Sequence, residues 1–219
     1  DPRGFATLWL NRADKNNAFN AQMIRELIIA LDDVQADTRL RFMVIRGRGK
    51  HFSAGADLAW MQQSANLDYN TNLDDARELA ELMYNLAKLK IPTLAVVQGA
   101  AYGGALGLIS CCDMAIGTED AQFCLSEVRI GLAPAVISPF VVQAIGERAA
   151  RRYALTAERF SGLRALEIGL LAECYPAAEF EQQIDQWIDT LLLNSPQAMR
   201  ASKDLLREVG NGEIGRAHV

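Results

Sequence analysis

The chain has 219 residues, half of them hydrophobic and 22% charged, and a net charge of −5. This composition supports a sizeable core and excludes general disorder and a broadly basic surface for nucleic acid or anionic lipid. No apolar run approaches the ~20 residues of a membrane span, and with only His51 and His218 present, His-rich metal sites and most His-based triads are excluded too.

In chain order, Ala6–Leu10 reads as a strand, entered as if partway into a first hairpin. Asn20 is placed to cap a helix whose apolar residues Met23, Ile24, Leu27, Ile28 and Leu31 fall at helical spacing. Phe42–Ile45 is a short apolar strand, followed by a Gly-rich segment from Gly47 to Asp57. Leu73–Lys88 is a helix ended by Pro92, and Thr93–Val97 is a buried strand. The turn Gly99–Gly104 leads into an apolar helix that ends near Cys112, and Met114–Ile116 and Gln122–Cys124 read as two more strands. From Ser138 the signal is helical, with Ser138-Pro139 and Ser195-Pro196 as helix starts and Ile184, Trp187, Ile188, Leu191 and Leu192 as a packing stripe.

Strand–helix units first and helices last imply an α/β core over 1–137 and a helical C-terminal part over 138–213. No G-x-G-x-x-G follows the first strand and no P-loop occurs, so a Rossmann nucleotide fold is not expected. Residues 214–219 break the preceding helical pattern and read as a non-native tail. The start lacks an initiator Met and a targeting pattern, so truncation at both ends is expected. Cys111, Cys112, Cys124 and Cys174 lack zinc-site spacing and read as small buried thiols of a cytoplasmic protein. No metal is expected.

Two segments carry chemistry. His51-Phe52-Ser53-Ala54-Gly55-Ala56-Asp57-Leu58 is a run of small residues between a strand and a helix. Gly99-Ala100-Ala101-Tyr102-Gly103-Gly104 likewise joins a strand to a helix. Small side chains let a ligand approach the backbone, and a helix N-terminus offers unpaired N–H donors. Two such turns can place two N–H groups around one oxygen, as an oxyanion hole does.

In this order the two turns resemble the crotonase family, also called the enoyl-CoA hydratase/isomerase superfamily. Further landmarks are Lys90-Ile91-Pro92-Thr93, Cys112-Asp113, Phe123-Cys124-Leu125-Ser126-Glu127, Ile130-Gly131-Leu132, Leu155-Thr156 and Gly169-Leu170, so the likeness spans nearly the whole chain. The resemblance implies an α/β fold, a crotonase-like spiral of strand–strand–helix units with a helical C-terminal part. It also implies a homotrimer or dimer of trimers, and an acyl-CoA thioester as substrate with coenzyme A as the only cofactor-like group. The backbone N–H groups of Ala56 and Gly104 would hold the thioester oxygen, Glu127 would act as acid or base, and Ala54, Asp57 and Leu58 would lie near the adenine and pantetheine of coenzyme A.

The family pattern is broken at two places. A second glutamate is usual three residues after the oxyanion glycine, and here that residue is Gly107. The glycine-rich turn leading to Thr-Gln-Arg is replaced by Gly131-Leu132-Ala133-Pro134-Ala135-Val136-Ile137-Ser138-Pro139. Both features resemble a bacterial subgroup of methylglutaconyl-CoA hydratases of leucine breakdown and carboxygeranoyl-CoA (isohexenylglutaconyl-CoA) hydratases of terpene breakdown. The expected activity is therefore hydration of 3-methylglutaconyl-CoA by a lyase with one glutamate. A second fixed anion would repel the carboxylate of such a substrate, and Gly107 is expected to remove that charge and to open volume for a branched chain. Arg129 is a candidate partner for the distal carboxylate and equally a solvated surface residue. Met61 and Tyr102 fit an acyl pocket and a core equally well. A Δ3,Δ2-enoyl-CoA isomerase also needs only one base and stands as the rival. A non-catalytic acyl-CoA binder is disfavoured by Glu127, and an RNA binder by the charge of −5.

Overall fold

The computed structural model describes residues 1–64 and 69–210; the tail expected at 214–219 lies outside them. Asn20 opens the first helix as its position predicts, its Oδ1 accepting the Met23 N–H at 3.0 Å. In chain order the elements are β1 (Phe5–Leu10), α1 (Ala21–Ala36), β2 (Phe42–Gly47), α2 (Leu58–Ser64), α3 (Tyr69–Lys88), β3 (Thr93–Val97), β4 (Ala100–Tyr102), α4 (Gly104–Cys111), β5 (Met114–Thr118), β6 (Gln122–Cys124), α5 (Ser138–Thr156), β7 (Phe160–Ser161), α6 (Gly162–Glu167), β8 (Glu173–Tyr175), α7 (Phe180–Leu192) and α8 (Pro196–Gly210).

The main sheet has the order β1-β2-β3-β5-β8 and is parallel throughout. Its central strands read as continuous apolar runs because both faces are covered. Met43 and Ile45 face the core shared with α1, α3 and α4, whereas Phe42 and Val44 alternate onto the other face and meet Phe180, Ile184, Ile188 and Leu191 of α7. Among the described residues β1 is an edge strand that pairs only with β2, in parallel through α1.

A second sheet, β4-β6-β7, joins the expected strand β6 to β4, where the sequence suggested only a turn, and to β7, where it suggested helix. β4 is three residues long, too short for a period-two pattern, and is fixed by the Ser53 N–H to Ala100 O (3.1 Å) and Tyr102 N–H to Ser53 O (3.1 Å) bonds. The segment after Ser138 adds a strand to each sheet: β7 runs antiparallel to β6, and β8 runs parallel to β5. Helix α5 is capped one residue earlier than expected, at Ile137, and is interrupted by Gly146 at φ 76°. Ser195 does cap α8, accepting the Ala198 N–H at 3.4 Å. Among the described residues no helix is long and apolar enough to cross a membrane.

One charge cluster fastens α8 to the main sheet. Asp113 Oδ2 accepts from Thr93 N–H at 2.7 Å, Thr93 Oγ1 at 3.0 Å and Lys203 Nζ at 2.8 Å. Lys203 also donates to Ile91 O at 2.9 Å, and its side chain is 7% exposed. Asp113→Ala strands that ammonium, and a loss of about 3 kcal/mol in urea unfolding of the full chain is expected. A loss near zero would mean that the ammonium finds water.

Candidate active site

The first turn is held from below by two consecutive asparagines. Asn16 and Asn17 both have left-handed backbones, at φ 51° and 54°, a conformation that asparagine tolerates better than most residues. The Asn17 side chain is fully buried. Its Oδ1 accepts the Arg12 N–H at 2.8 Å, and its Nδ2 faces the carbonyls of Arg48, His51 and Phe52 at 2.8, 2.9 and 3.1 Å. Ser53 Oγ donates to Asn17 O at 2.8 Å and accepts the Gly55 N–H at 3.1 Å.

Phe19 then pairs with Ala56 as an isolated parallel bridge. The Phe19 N–H donates to Gly55 O at 2.7 Å, and the Asp57 N–H donates to Phe19 O at 2.8 Å. In such a bridge the residue between the two bonds turns its own N–H to the opposite side. The Ala56 N–H accordingly has no acceptor among the described residues.

The second turn meets the first directly. Gly55 has φ 85°, and a Cβ there would lie 2.5 Å from Tyr102 O, so only glycine fits. The Gly103 N–H donates to Cys124 O at 2.8 Å. Gly104 is the first residue of α4, and its N–H is one of the donors that a helix start leaves unpaired. The Phe19 ring underlies it, 3.4 Å from where a Cβ would stand. The structure thus brings the Ala56 and Gly104 turns together on a buried floor.

Glu127 follows β6 and opens a 3-10 turn, Glu127–Ile130. Its Oε1 would lie 3.2 Å from a Cβ on Gly103. Its Oε2 is buried and has no hydrogen-bond partner. Burial pushes this carboxyl above its ordinary value, the hydration lost by the charged form outweighing a hydrogen bond from the residue's own backbone. A carboxyl so placed can give or take a proton beside the two N–H groups.

Gly107 overturns one expectation. It does not open volume: a Cβ there would overlap Ile137 Cγ2, and would lie 2.9 Å from Ile137 Cβ and 3.0 Å from Met83 Cε. Ile137 from the altered turn before α5 fills the space that a side chain at 107 would take. An apolar wall, not a cavity, stands there.

The other sequence candidates fall into place as follows. Ala54 is half-buried, and its N–H donates to Asn16 O at 2.9 Å. Leu58 is 63% exposed. The Asp57 carboxylate turns inward, Oδ2 accepting from Arg12 Nη1 at 2.7 Å and Oδ1 from the N–H groups of Ala59 and Trp60 at 2.9 and 3.4 Å. Arg12 holds that carboxyl below its usual value. Arg129 donates to Ala157 O at 2.6 Å. Arg159 lies over the Tyr102 ring, 5.4 Å from its centroid. All four thiols are raised above their ordinary value, in each case chiefly by burial. Sequence reasoning missed Arg12, Asn17 and His51. The signal for Asn17 was an Asn-Asn pair before an apolar residue. His51 Nδ1 accepts the Ala100 N–H at 3.0 Å, and burial keeps the ring below its ordinary pKa.

A family model described as enoyl-CoA hydratase/isomerase matches residues 2–212. The chain belongs to the enoyl-CoA hydratase/isomerase family. The crystal structure of an enoyl-CoA hydratase from Shewanella pealeana is similar at 48% identity and a TM-score of 0.90, covering 95% of this chain and 78% of that one. The α/β crotonase fold is therefore that of the family's solved members. Other family members are the 2,3-dehydroadipyl-CoA hydratase of Escherichia coli, 30% identical over 92% of this chain and 77% of its own length, and the trans-2-decenoyl-[acyl-carrier-protein] isomerase of Streptococcus mutans, 30% identical over 93% and 78%. Hydratase and isomerase names both occur among them.

Two outcomes are expected here. Gly107→Ala forces Ile137 aside and should cost about 1–3 kcal/mol in urea unfolding. Combined with Ile137→Ala, it should cost less than the sum of the single losses, because the two share one space; strict additivity would contradict the packing. Burial lowers the His51 pKa in the fold below that of the unfolded chain, which protonates near pH 6.5. Around that pH the unfolded state binds the proton more readily than the fold, so stability falls on acidification. The melting temperature of His51→Gln should therefore drop less than that of the parent between pH 7.5 and 5.5 (pH values about these, set by the ordinary histidine range).

Proposed function

We propose that the chain adds water reversibly to the double bond of a branched glutaconyl-CoA thioester, with 3-methylglutaconyl-CoA as the preferred substrate. An enzyme of the hydratase/isomerase kind is what the family match establishes. The observation that carries the finer reading is the Glu127 carboxyl, its buried Oε2 without a partner, beside the Ala56 and Gly104 turns.

In this reading the thioester oxygen accepts from the Ala56 and Gly104 N–H groups. Negative charge grows there as water adds to the β-carbon, and preorganised donors lower that barrier by about 2.7–4 kcal/mol each. Glu127 takes a proton from the attacking water and returns one to the α-carbon, so that H and OH are added overall. Ala54 and Leu58 lie on the half-exposed rim of the first turn and suit the coenzyme A moiety. The apolar wall of Ile137 and Met83 leaves no second protein carboxylate to repel one on the substrate. A 2,3-dehydroadipyl thioester, named for the Escherichia coli relative, also carries a distal carboxylate, which supports a substrate of that class.

The same wall favours one rival reading. Proton transfer from C2 to C4 of a 3-enoyl thioester needs a single base and no water, so a Δ3,Δ2-isomerase is the alternative. The full chain, given 3-methylglutaconyl-CoA, crotonyl-CoA and a 3-enoyl-CoA and followed by chromatography, separates the two. A 3-hydroxy product from the glutaconyl thioester is expected. Conversion of the 3-enoyl thioester alone would replace hydration by isomerisation. Glu127→Gln should lower turnover by about 10²–10⁴ and abolish the acid limb of the rate profile, which lies above the ordinary carboxyl value because burial raises Glu127.

A further inference from the structure

The Ala56 N–H is the end of a chain of hydrogen bonds that begins at a guanidinium. Arg12 Nη1 donates to Ala18 O at 2.9 Å. That carbonyl and the Phe19 N–H belong to one peptide group, and the Phe19 N–H donates to Gly55 O at 2.7 Å. Gly55 O and the Ala56 N–H belong to the next peptide group. In a trans peptide the C=O and N–H point in opposite directions, so each group hands the line on to the next. The sequence of dipoles therefore runs from the Arg12 cation, through the 18–19 and 55–56 peptides, to the free Ala56 N–H.

We propose that Arg12 is a positioning residue that aims and polarises the Ala56 donor, an inference that rests on the thioester reading above. A cation at the carbonyl end draws electron density toward Ala18 O and makes the Phe19 N–H a stronger donor. That bond in turn polarises Gly55 C=O and strengthens the Ala56 N–H. Hydrogen bonds in such a series reinforce one another in a low-dielectric setting. Geometry fixes the direction as well: the 55–56 plane cannot rotate while Gly55 O is bonded to Phe19 and the Asp57 N–H is bonded to Phe19 O. Arg12 is itself fixed at three points, by Asp57 Oδ2 at 2.7 Å, by Ala18 O, and through its backbone N–H by Asn17 Oδ1 at 2.8 Å. Its side chain is 27% exposed and that of Asp57 15%, so the charge acts from a partly desolvated position. Asp57 orients the guanidinium through one oxygen and caps α2 through the other.

The test reads the polarisation directly. A coenzyme A thioester of 4-dimethylaminocinnamic acid is a push–pull dye whose absorption moves to the red when its carbonyl oxygen is polarised. Bound to the full chain it should show a red shift. Arg12→Met should lose much of that shift while the dye's Kd stays within about threefold. Its kcat should fall about tenfold at unchanged KM, less than the 10²–10³ that loss of an oxyanion donor costs. Arg12→Lys, which keeps a cation, should restore most of the shift, and Arg12→Gln, which keeps a donor but no charge, should give an intermediate one. A full red shift in Arg12→Met overturns the proposal, as does loss of the shift only together with dye binding. If Arg12→Met does not fold by circular dichroism, Lys and Gln decide, and equal shifts in those two overturn it. No red shift in the parent chain means that the oxyanion reading itself fails, and this proposal with it.

Discussion

The carboxamide of Asn17 is withdrawn completely from solvent, and it joins the loop after β1 to the segment after β2. No other side chain of its size offers an acceptor and two donors on one rigid plane. Aspartate would lack the donors and bring a buried charge, and alanine would leave three carbonyls short of a partner. With this joint closed, Phe19 lies beside Gly55–Asp57, and the floor under Gly104 is its ring. Position in the second turn is thus inherited from the first.

The glycines of the site do different work. Gly55 is needed because a carbonyl of the facing turn occupies the place of its side chain, and the left-handed backbone makes any replacement strained. Gly103 has a positive φ and lets the Glu127 carboxyl come close. Gly107 has neither reason. It is small because Ile137 is large, so the two are complementary halves of one packed volume. The lack of a side chain at 107 and the turn that carries Ile137 are consequently two sides of one packing arrangement.

Much of this was legible from the residues. The long strands and helices carried clear periodicity, and both Gly-rich turns were singled out from the sequence, and the fold brings them into contact. Glu127 was found only through the family pattern, since an isolated glutamate has no periodic signal. β4, β7 and β8 escaped because two or three residues cannot show alternation and, unlike the equally short β6, they lie in segments whose signal was a Gly-rich turn or helical. Arg12 and Asn17 escaped because their meaning lies in carbonyls supplied by distant parts of the chain. The volume at Gly107 was misjudged because an absent side chain on one helix says nothing of what its neighbour sends into the gap.

The raised thiols have a consequence for durability. Enoyl thioesters are soft electrophiles, and a thiolate adds readily to the carbon that water would attack. The thiolate rather than the thiol is the nucleophile, and burial disfavours it at Cys111, Cys112, Cys124 and Cys174 alike. On the substrate reading proposed above, burial that disfavours the thiolate at each of the four cysteines would keep them from adding to a bound enoyl thioester.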